Sequence, residues 1–127
     1  MSRREELVAE VMAVLHNYQQ AFKTGTRDDI QAMVHLPVAY ITEDDVQMRE
    51  RYPFDPAKLR EATGFHHGES THEVLHIDET KAHVLINATR MRADNSPIEQ
   101  IGAFYILQKR DGKWKIAAFS GVRTPAS

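Results

Sequence analysis

Apolar side chains recur every three or four residues between Leu7 and Phe22. This spacing places them on one face of an α-helix, which would pack that face against a core. Gly25 suits the C-terminal cap of such a helix. The pattern therefore predicts that the chain begins with a long amphipathic helix.

Thr26 then has the character of an N-cap, and acidic residues follow it where carboxylates meet the positive end of a helix dipole. The sequence predicts a short second helix at this point. We expect it to turn Ile30, Met33 and Val34 inward and to stop before Pro37.

A strand over residues 38–42, a charged loop through Tyr52 and a third helix are predicted next. Asp55 and Pro56 match an N-cap followed by the first helical position, where proline loses no hydrogen bond. Gly64 suits the end of this third helix.

Branched and aromatic residues dominate the second half of the chain, in runs separated by turn residues. The predicted strands cover residues 71–79, 82–92, 98–109 and 113–122. The order of elements, α-α-β-α-β-β-β-β, predicts a single α+β domain over residues 1–127. Its three N-terminal helices would pack on one face of a curved, mostly antiparallel sheet.

Asp111-Gly112 is a strong hairpin signal, and it predicts a register in which Arg110 pairs with Lys113. Strict alternation from that pair puts Tyr105 on one face of the hairpin. The opposite face would carry Phe104, Ile106, Ala117 and Phe119. Both faces are apolar away from the turn, and the helices can cover only one of them. We therefore expect a homodimer, because a second subunit is the simplest cover for the other face.

Charge and composition exclude several classes of partner and of chemistry. The formal net charge of −2 gives no bulk attraction to nucleic acid or to anionic lipid. The absence of cysteine excludes disulfides, thiolate nucleophiles and cysteine-ligated metal centres. The sequence has neither an apolar run of about 20 residues, which a membrane span requires, nor the apolar core of a signal peptide. We expect a cytoplasmic protein with no nucleic-acid or membrane partner.

Histidines are dense between residues 64 and 83, which hold five of the seven in the chain. His72 and His76 would be about 13 Å apart on a strand, too far to share a metal ion. His66 and His67 are adjacent at a helix end, where their side chains diverge. We therefore expect no metal and no other cofactor. A single catalytic histidine remains open, with His66, His67 and His76 as the candidates.

The order of elements resembles that of the nuclear transport factor 2-like (SnoaL-like) superfamily, which has a cone-shaped, cystatin-like α+β fold. The resemblance covers nearly the whole chain. Its most specific stretch, KRDGKWKIAAFSG, is similar to the final hairpin of the calcium/calmodulin-dependent kinase association domain. The resemblance implies a sheet bent around a pocket and, in many members, pairing through the outer sheet face. Because members range from isomerases, dehydratases and hydrolases to non-catalytic assembly modules, it implies no particular reaction.

The segment VLHNYQQAFKTGTRDDIQAM is similar to the opening of ketosteroid isomerase, and Tyr18 falls where that enzyme carries its oxyanion-hole tyrosine. Thr42 falls where the proton-abstracting aspartate would lie, which argues against that isomerase chemistry. Comparison with the kinase association domain puts Arg90 and Tyr105 near positions of pocket arginines, and only Arg90 keeps the charge.

The candidate pocket residues share an apolar body with a polar tip, or a guanidinium, on a strand or helix face predicted to point inward. They are Tyr18, Tyr40, Arg90, Tyr105 and Trp114. The alternative for the aromatic residues is core packing with a partnered polar atom, and this alternative is favoured for Trp114. Arg90 would bind a carboxylate through two parallel hydrogen bonds, or else lie at a strand end with its head in water.

The leading hypothesis is a small-molecule pocket protein for a largely apolar ligand with one anionic or carbonyl group. This hypothesis leaves open whether the protein also has a cofactor-independent lyase, isomerase or hydrolase activity. The alternative is a non-catalytic dimerisation or assembly module with a vestigial pocket. A cavity on the order of several hundred Å³ with perturbed titratable groups would favour the first, and a filled cone the second.

Overall fold

Three helices and six strands are present in the computed structural model, which describes residues 2–122. The helices are α1 (Arg3–Thr24), α2 (Arg27–Gln31) and α3 (Pro56–Thr63). The strands are β1 (Val34–Ile41), β2 (Val46–Arg49), β3 (Phe65–Ile77), β4 (Lys81–Arg92), β5 (Pro97–Arg110) and β6 (Lys113–Val122). The predicted domain limits, residues 1–127, extend past both ends of this described range.

The strands form one sheet in the order β2-β1-β6-β5-β4-β3. β1 and β6 are parallel, and the other neighbouring strands are antiparallel. Helices at the N-terminal end pack on this sheet, so the predicted α+β fold class is confirmed.

The starts of α2 and α3 and the ends of α1 and α3 lie at residues that the local sequence favours. Thr26 and Asp29 form a reciprocal capping box at the start of α2, and the Asp55 side chain accepts from the backbone N–H of Lys58 at 3.2 Å at the start of α3. Gly64 ends α3 in the left-handed conformation, with φ of 75°. Gly25 ends α1 in an extended conformation. A Cβ atom at Gly25 would lie only 2.7 Å from a backbone carbonyl oxygen, so a side chain does not fit there.

The second helix is shorter than predicted, and the prediction that it continues almost to Pro37 is wrong. It ends at Gln31, and Val34 already belongs to β1. The cause is a distant partner: the backbone N–H of Ile116 on β6 donates to the carbonyl oxygen of Met33 at 3.0 Å. This sheet contact removes Met33 and Val34 from the helix.

A short strand was also missed in the segment predicted as a charged loop. β2 pairs with β1 in antiparallel register, from Val38 opposite Arg49 to Ile41 opposite Val46. It is a four-residue edge strand in which Val46 and Met48 alternate with Gln47 and Arg49, too short a pattern to stand out within the charged segment.

The hairpin register is confirmed near the turn, where Arg110 pairs with Lys113. It then shifts by one residue, because Ala117 forms a bulge and Ile106 pairs with Ala118. Beyond the bulge Phe119 lies opposite Tyr105 and is only 2% exposed. The expectation that Phe119 shares the outward face with Phe104 is therefore wrong.

The sheet has two different faces. The inner face, which carries Val84, Leu107 and Ile116, packs against the buried residues of α1. Those residues of α1 are Leu7, Val11, Leu15 and Tyr18. Alternation along the strands places Phe104 and Ile106 on the opposite, outer face. Core packing is thus confined to the side of the sheet that the helices cover.

Candidate ligand-binding cavity

A partly open cavity of about 580 Å³ lies between α1 and the inner face of the sheet. Its volume is in the range of small-molecule sites. Aromatic side chains supply much of the wall: Tyr18, Phe22, Tyr40, Phe54, Phe65, Tyr105 and Phe119. A ligand with flat apolar surfaces would therefore be surrounded by rings.

Four of the predicted pocket residues line this cavity, namely Tyr18, Tyr40, Arg90 and Tyr105. Trp114 is not brought together with them. It lies near the hairpin turn, where its indole N–H donates to Glu10 on α1 at 3.2 Å. Trp114 is 6% exposed, as expected for a packing role.

A cluster of three tyrosines adjoins the cavity: Tyr18 and Tyr105 line it, and Tyr52 contacts Tyr18 and is fully buried. The hydroxyls of Tyr18 and Tyr52 form a short hydrogen bond, and the rings of Tyr18 and Tyr105 meet edge to face at 5.9 Å. Burial raises the pKa of all three phenols, with the Tyr18 pKa well above its ordinary value. The hydroxyls therefore remain protonated, and Tyr18 has a proton to share with a neighbouring oxygen.

Tyr52 was not predicted as a pocket residue, because the sequence places it at the end of a charged loop. In the structure it is fully buried, and its backbone N–H donates to the side chain of Gln31 at 3.1 Å. Nothing in the local pattern marks this position as internal.

Arg90 lies on β4 beside Glu99 of β5, with its side chain 23% exposed. One guanidinium nitrogen donates to Glu99 at 2.7 Å, and the guanidinium carbon lies 5.2 Å from the ring centre of Phe22. A guanidinium carries five N–H donors in a fixed fork. A single contact to Glu99 therefore leaves capacity for a second oxygen ligand from inside the cavity.

A second polar group on the cavity wall joins α1 to β3. The amide nitrogen of Gln19 donates to the Ser70 hydroxyl at 2.6 Å and lies 3.0 Å from Nε2 of His72. Burial lowers the pKa of His72. Sequence reasoning considered His72 only as a metal ligand. Alternation with Ser70 and Val74 along β3 was the available signal for its inward position.

The three histidines proposed as catalytic candidates lie elsewhere or at the edge of the cavity. A bulge between Val74 and His76 puts His76 opposite His83, and its Nε2 lies 2.9 Å from a carboxylate oxygen of Asp78 at the exposed surface. His66 is exposed and contacts His67, which is in the lining. None of them lies in the Gln19–Ser70–His72 group.

Within residues 2–122, no three histidine, aspartate or glutamate side chains come together as a metal ion would require. No helix in the same range has the length and hydropathy needed to cross a bilayer.

Three partly buried histidines predict a pH dependence of stability. Burial is the largest cause of the lowered pKa of His35, His72 and His83. Each then binds fewer protons in the folded chain than in the unfolded chain at a pH between its folded value and the ordinary value near 6.5. We expect the free energy of unfolding to fall as the pH decreases from about 7.5 to about 5.5 in urea titrations.

The variant His72→Gln should reduce this slope. An NMR titration provides the direct check, since His72 should lose its charge at a pH below the ordinary value. Titration of His72 with a pKa at or above the ordinary value would show that burial does not lower its pKa.

The family assignment follows from comparison with known proteins. Residues 9–124 match the family model described as NTF2-like protein (DUF6841). The chain belongs to this NTF2-like family, and the predicted resemblance is confirmed. Among proteins of curated function, none matches the sequence.

Solved structures show the same fold. An NTF-2-like protein of unknown function from Shewanella oneidensis MR-1 is similar with a TM-score of 0.70 at 12% identity, over 90% of this chain and 97% of that one. A scytalone dehydratase-like protein from Novosphingobium aromaticivorans DSM 12444 is similar with a TM-score of 0.64 at 15% identity. The similarity covers 93% of this chain and 84% of that one. The third structure is a calcium/calmodulin-dependent protein kinase II association-domain-like protein from Xanthomonas campestris. It is similar with a TM-score of 0.61 at 17% identity, over 93% of this chain and 88% of that one. At these identities the similarity is one of fold.

Proposed function

We propose that this protein binds a small, largely apolar molecule carrying one anionic or carbonyl group, in the cavity between α1 and the sheet. The observation that carries the proposal is a cavity of about 580 Å³ that is walled by aromatic rings and lined by Arg90. A vestigial pocket in a pure assembly module would instead be filled by side chains.

Arg90 is the proposed anchor for an anionic group. Its side chain is 23% exposed, and its guanidinium lies over the ring of Phe22 and donates to Glu99. Because the arginine is oriented before a ligand arrives, little side-chain entropy remains to be lost on binding. Hydrogen bonds from a charged donor to a carboxylate are also the stronger kind.

Tyr18 is the proposed donor to a carbonyl or other oxygen at the tyrosine cluster. Its hydroxyl is linked to that of Tyr52. If the Tyr52 hydroxyl donates within this pair, the Tyr18 proton is directed to the Tyr105 hydroxyl or to a ligand oxygen that replaces it, and a chain of hydroxyls polarises each successive bond. The proposal is for binding, and it does not require a lyase, isomerase or hydrolase reaction on the bound molecule.

Calorimetric titration with trans-cinnamate and with its methyl ester tests the anionic contact, because these probes differ in charge while sharing the same ring and chain. We expect the acid to bind more tightly than the ester. Arg90→Met should weaken binding of the acid by about tenfold or more, since hydrogen bonds to charged groups contribute about 1.5–3 kcal/mol. It should change binding of the ester little.

The matched control is Glu99→Gln, which removes the carboxylate that competes for Arg90 and preserves the shape of its side chain. This variant should bind trans-cinnamate at least as tightly as the parent. Failure of both probes to bind, or equal affinity of the parent and Arg90→Met for the acid, would contradict the proposal.

A further inference from the structure

Gln19, Ser70 and His72 form a hydrogen-bonded group on the wall of the same cavity, separate from Arg90 and from the tyrosine cluster. The amide nitrogen of Gln19 lies 2.6 Å from the Ser70 hydroxyl oxygen and 3.0 Å from Nε2 of His72. All three side chains line the cavity and are partly buried. Their remaining hydrogen-bonding capacity indicates what the wall can bind.

An amide nitrogen can only donate, and its two hydrogens match the two acceptors beside it. Nε2 of His72 therefore accepts, so the neutral ring carries its proton on Nδ1. Ser70 retains its own hydroxyl hydrogen, and the Gln19 carbonyl oxygen retains its lone pairs. The group thus offers both donors and acceptors, and it carries no formal charge. Burial of His72, which lowers its pKa, supports this neutral state.

A hydroxyl group fits such a wall better than a charged group does. A ligand carboxylate would find a full countercharge at Arg90 and none here. A ligand cation would find no carboxylate in this group, and the cavity lining holds the cations Arg90 and Lys23 beside the acids Glu43 and Glu99, of which Glu99 already pairs with Arg90. A purely apolar surface would leave polar atoms without partners, at about 1–3 kcal/mol for each buried group. A hydroxyl is neutral, and it donates and accepts at the same time.

The register of β3 and β4 sets the distance between this group and Arg90. Arg90 pairs with Gly68, and Ser70 lies two residues further along β3, opposite Ala88. Two residues of a strand span roughly 7 Å, and His72 lies roughly 13 Å along. An aromatic ring with an acid on one side and a hydroxyl on the opposite side bridges a gap of this size.

We propose that the ligand is a hydroxylated aromatic carboxylic acid, whose carboxylate pairs with Arg90 while its hydroxyl binds the Gln19–Ser70–His72 group. The ring between these groups would lie among the aromatic side chains of the wall, of which Phe22 and Phe65 meet edge to face at 5.6 Å. This inference rests on the proposed function, and it adds the hydroxyl as the determinant of specificity.

Calorimetry with three probes tests the inference: trans-cinnamate, its para-hydroxy derivative and its ortho-hydroxy derivative. We expect the para-hydroxy acid to bind the parent about fivefold or more tightly than trans-cinnamate, as one well-placed hydrogen bond allows. The ortho-hydroxy acid holds its hydroxyl close to the acid-bearing chain. It should bind no better than trans-cinnamate.

Gln19→Leu should reduce the preference for the para-hydroxyl to about one. Ser70→Ala is the second variant, in case the first does not fold. The control is Asn17→Leu, at an exposed position of α1 outside the cavity lining, which should retain the preference. In the variant Arg90→Met, the affinities for trans-cinnamate and for its para-hydroxy derivative should fall by the same factor.

The outcomes distinguish an error in the hydroxyl contact from an error in the proposed function. If trans-cinnamate binds through Arg90 but the para-hydroxyl adds nothing, or if its preference survives in both Gln19→Leu and Ser70→Ala, the inference is wrong and the proposed function stands. If no probe binds, or if Arg90→Met has no effect on the acids, both are wrong.

Discussion

Phe119→Ala is expected to lower the free energy of unfolding by about 3–5 kcal/mol, the usual range for truncating a buried phenylalanine. Phe119 is 2% exposed, and its ring lies between 4.8 and 6.1 Å from four other aromatic rings. Those neighbours are Tyr18, Tyr52, Phe54 and Tyr105. The truncation would remove apolar contacts and leave a void beside the tyrosine cluster. Urea denaturation at neutral pH measures the change.

Phe119→Leu is the matched variant, because it retains most of the side-chain volume. It should lose well under half of what the alanine variant loses. The comparison also tests the bulge at Ala117, since strict alternation would place Phe119 on the outer face. A loss below about 1 kcal/mol for Phe119→Ala would indicate an exposed ring and contradict the inward position.

Phe104→Lys is expected to convert a dimer into a monomer. We propose that the protein is a homodimer whose subunits pair through the outer face of the sheet, where Phe104 and Ile106 lie. On the edge strand β2, which β1 and β6 separate from β5, Val46 and Met48 are 70% and 61% exposed. Together they make an apolar surface of a kind that monomers rarely expose beyond a few hundred Å².

Two-fold pairing would bury the same apolar patch on both subunits at roughly 25 cal/mol per Å², before the cost of association. A lysine at position 104 would place two like charges in this buried contact. Sedimentation equilibrium at micromolar concentration should show a dimer for the parent and a monomer for Phe104→Lys. Ala57→Lys adds the same charge on an exposed part of α3 and should remain dimeric. A monomeric parent would contradict the proposal.

The parts of the fold that the sequence predicts well depend on neighbouring residues. Caps at Thr26 and Asp55, the left-handed Gly64 and the turn at Asp111-Gly112 act within a few positions of themselves. Their effects are visible in the pattern because no distant partner is needed.

The parts that were missed depend on distant partners. Met33 leaves the helix because it pairs with Ile116 across the sheet, and β2 exists only through its pairing with β1. The bulge at Ala117 redirects Phe119 without a glycine or proline to signal it. A one-residue shift of this kind exchanges the faces of everything beyond it.

The same division holds for the cavity. Tyr18, Arg90 and Tyr105 were found because alternation and helical spacing place them on inward faces. The link between Tyr18 and Tyr52 joins residues 34 positions apart, and the link between Gln19 and Ser70 joins residues 51 positions apart. Both depend on how α1 lies across the sheet, which local pattern does not specify.

An NMR titration of isotope-labelled protein with trans-cinnamate tests most directly whether the cavity is a ligand site. We expect saturable shifts in the backbone amides of cavity residues on α1, β3 and β4, including those of Gln19, Ser70 and Arg90, with the outer face of the sheet unperturbed. Shifts confined to the outer face, or no shifts at millimolar probe, would contradict ligand binding in the cavity.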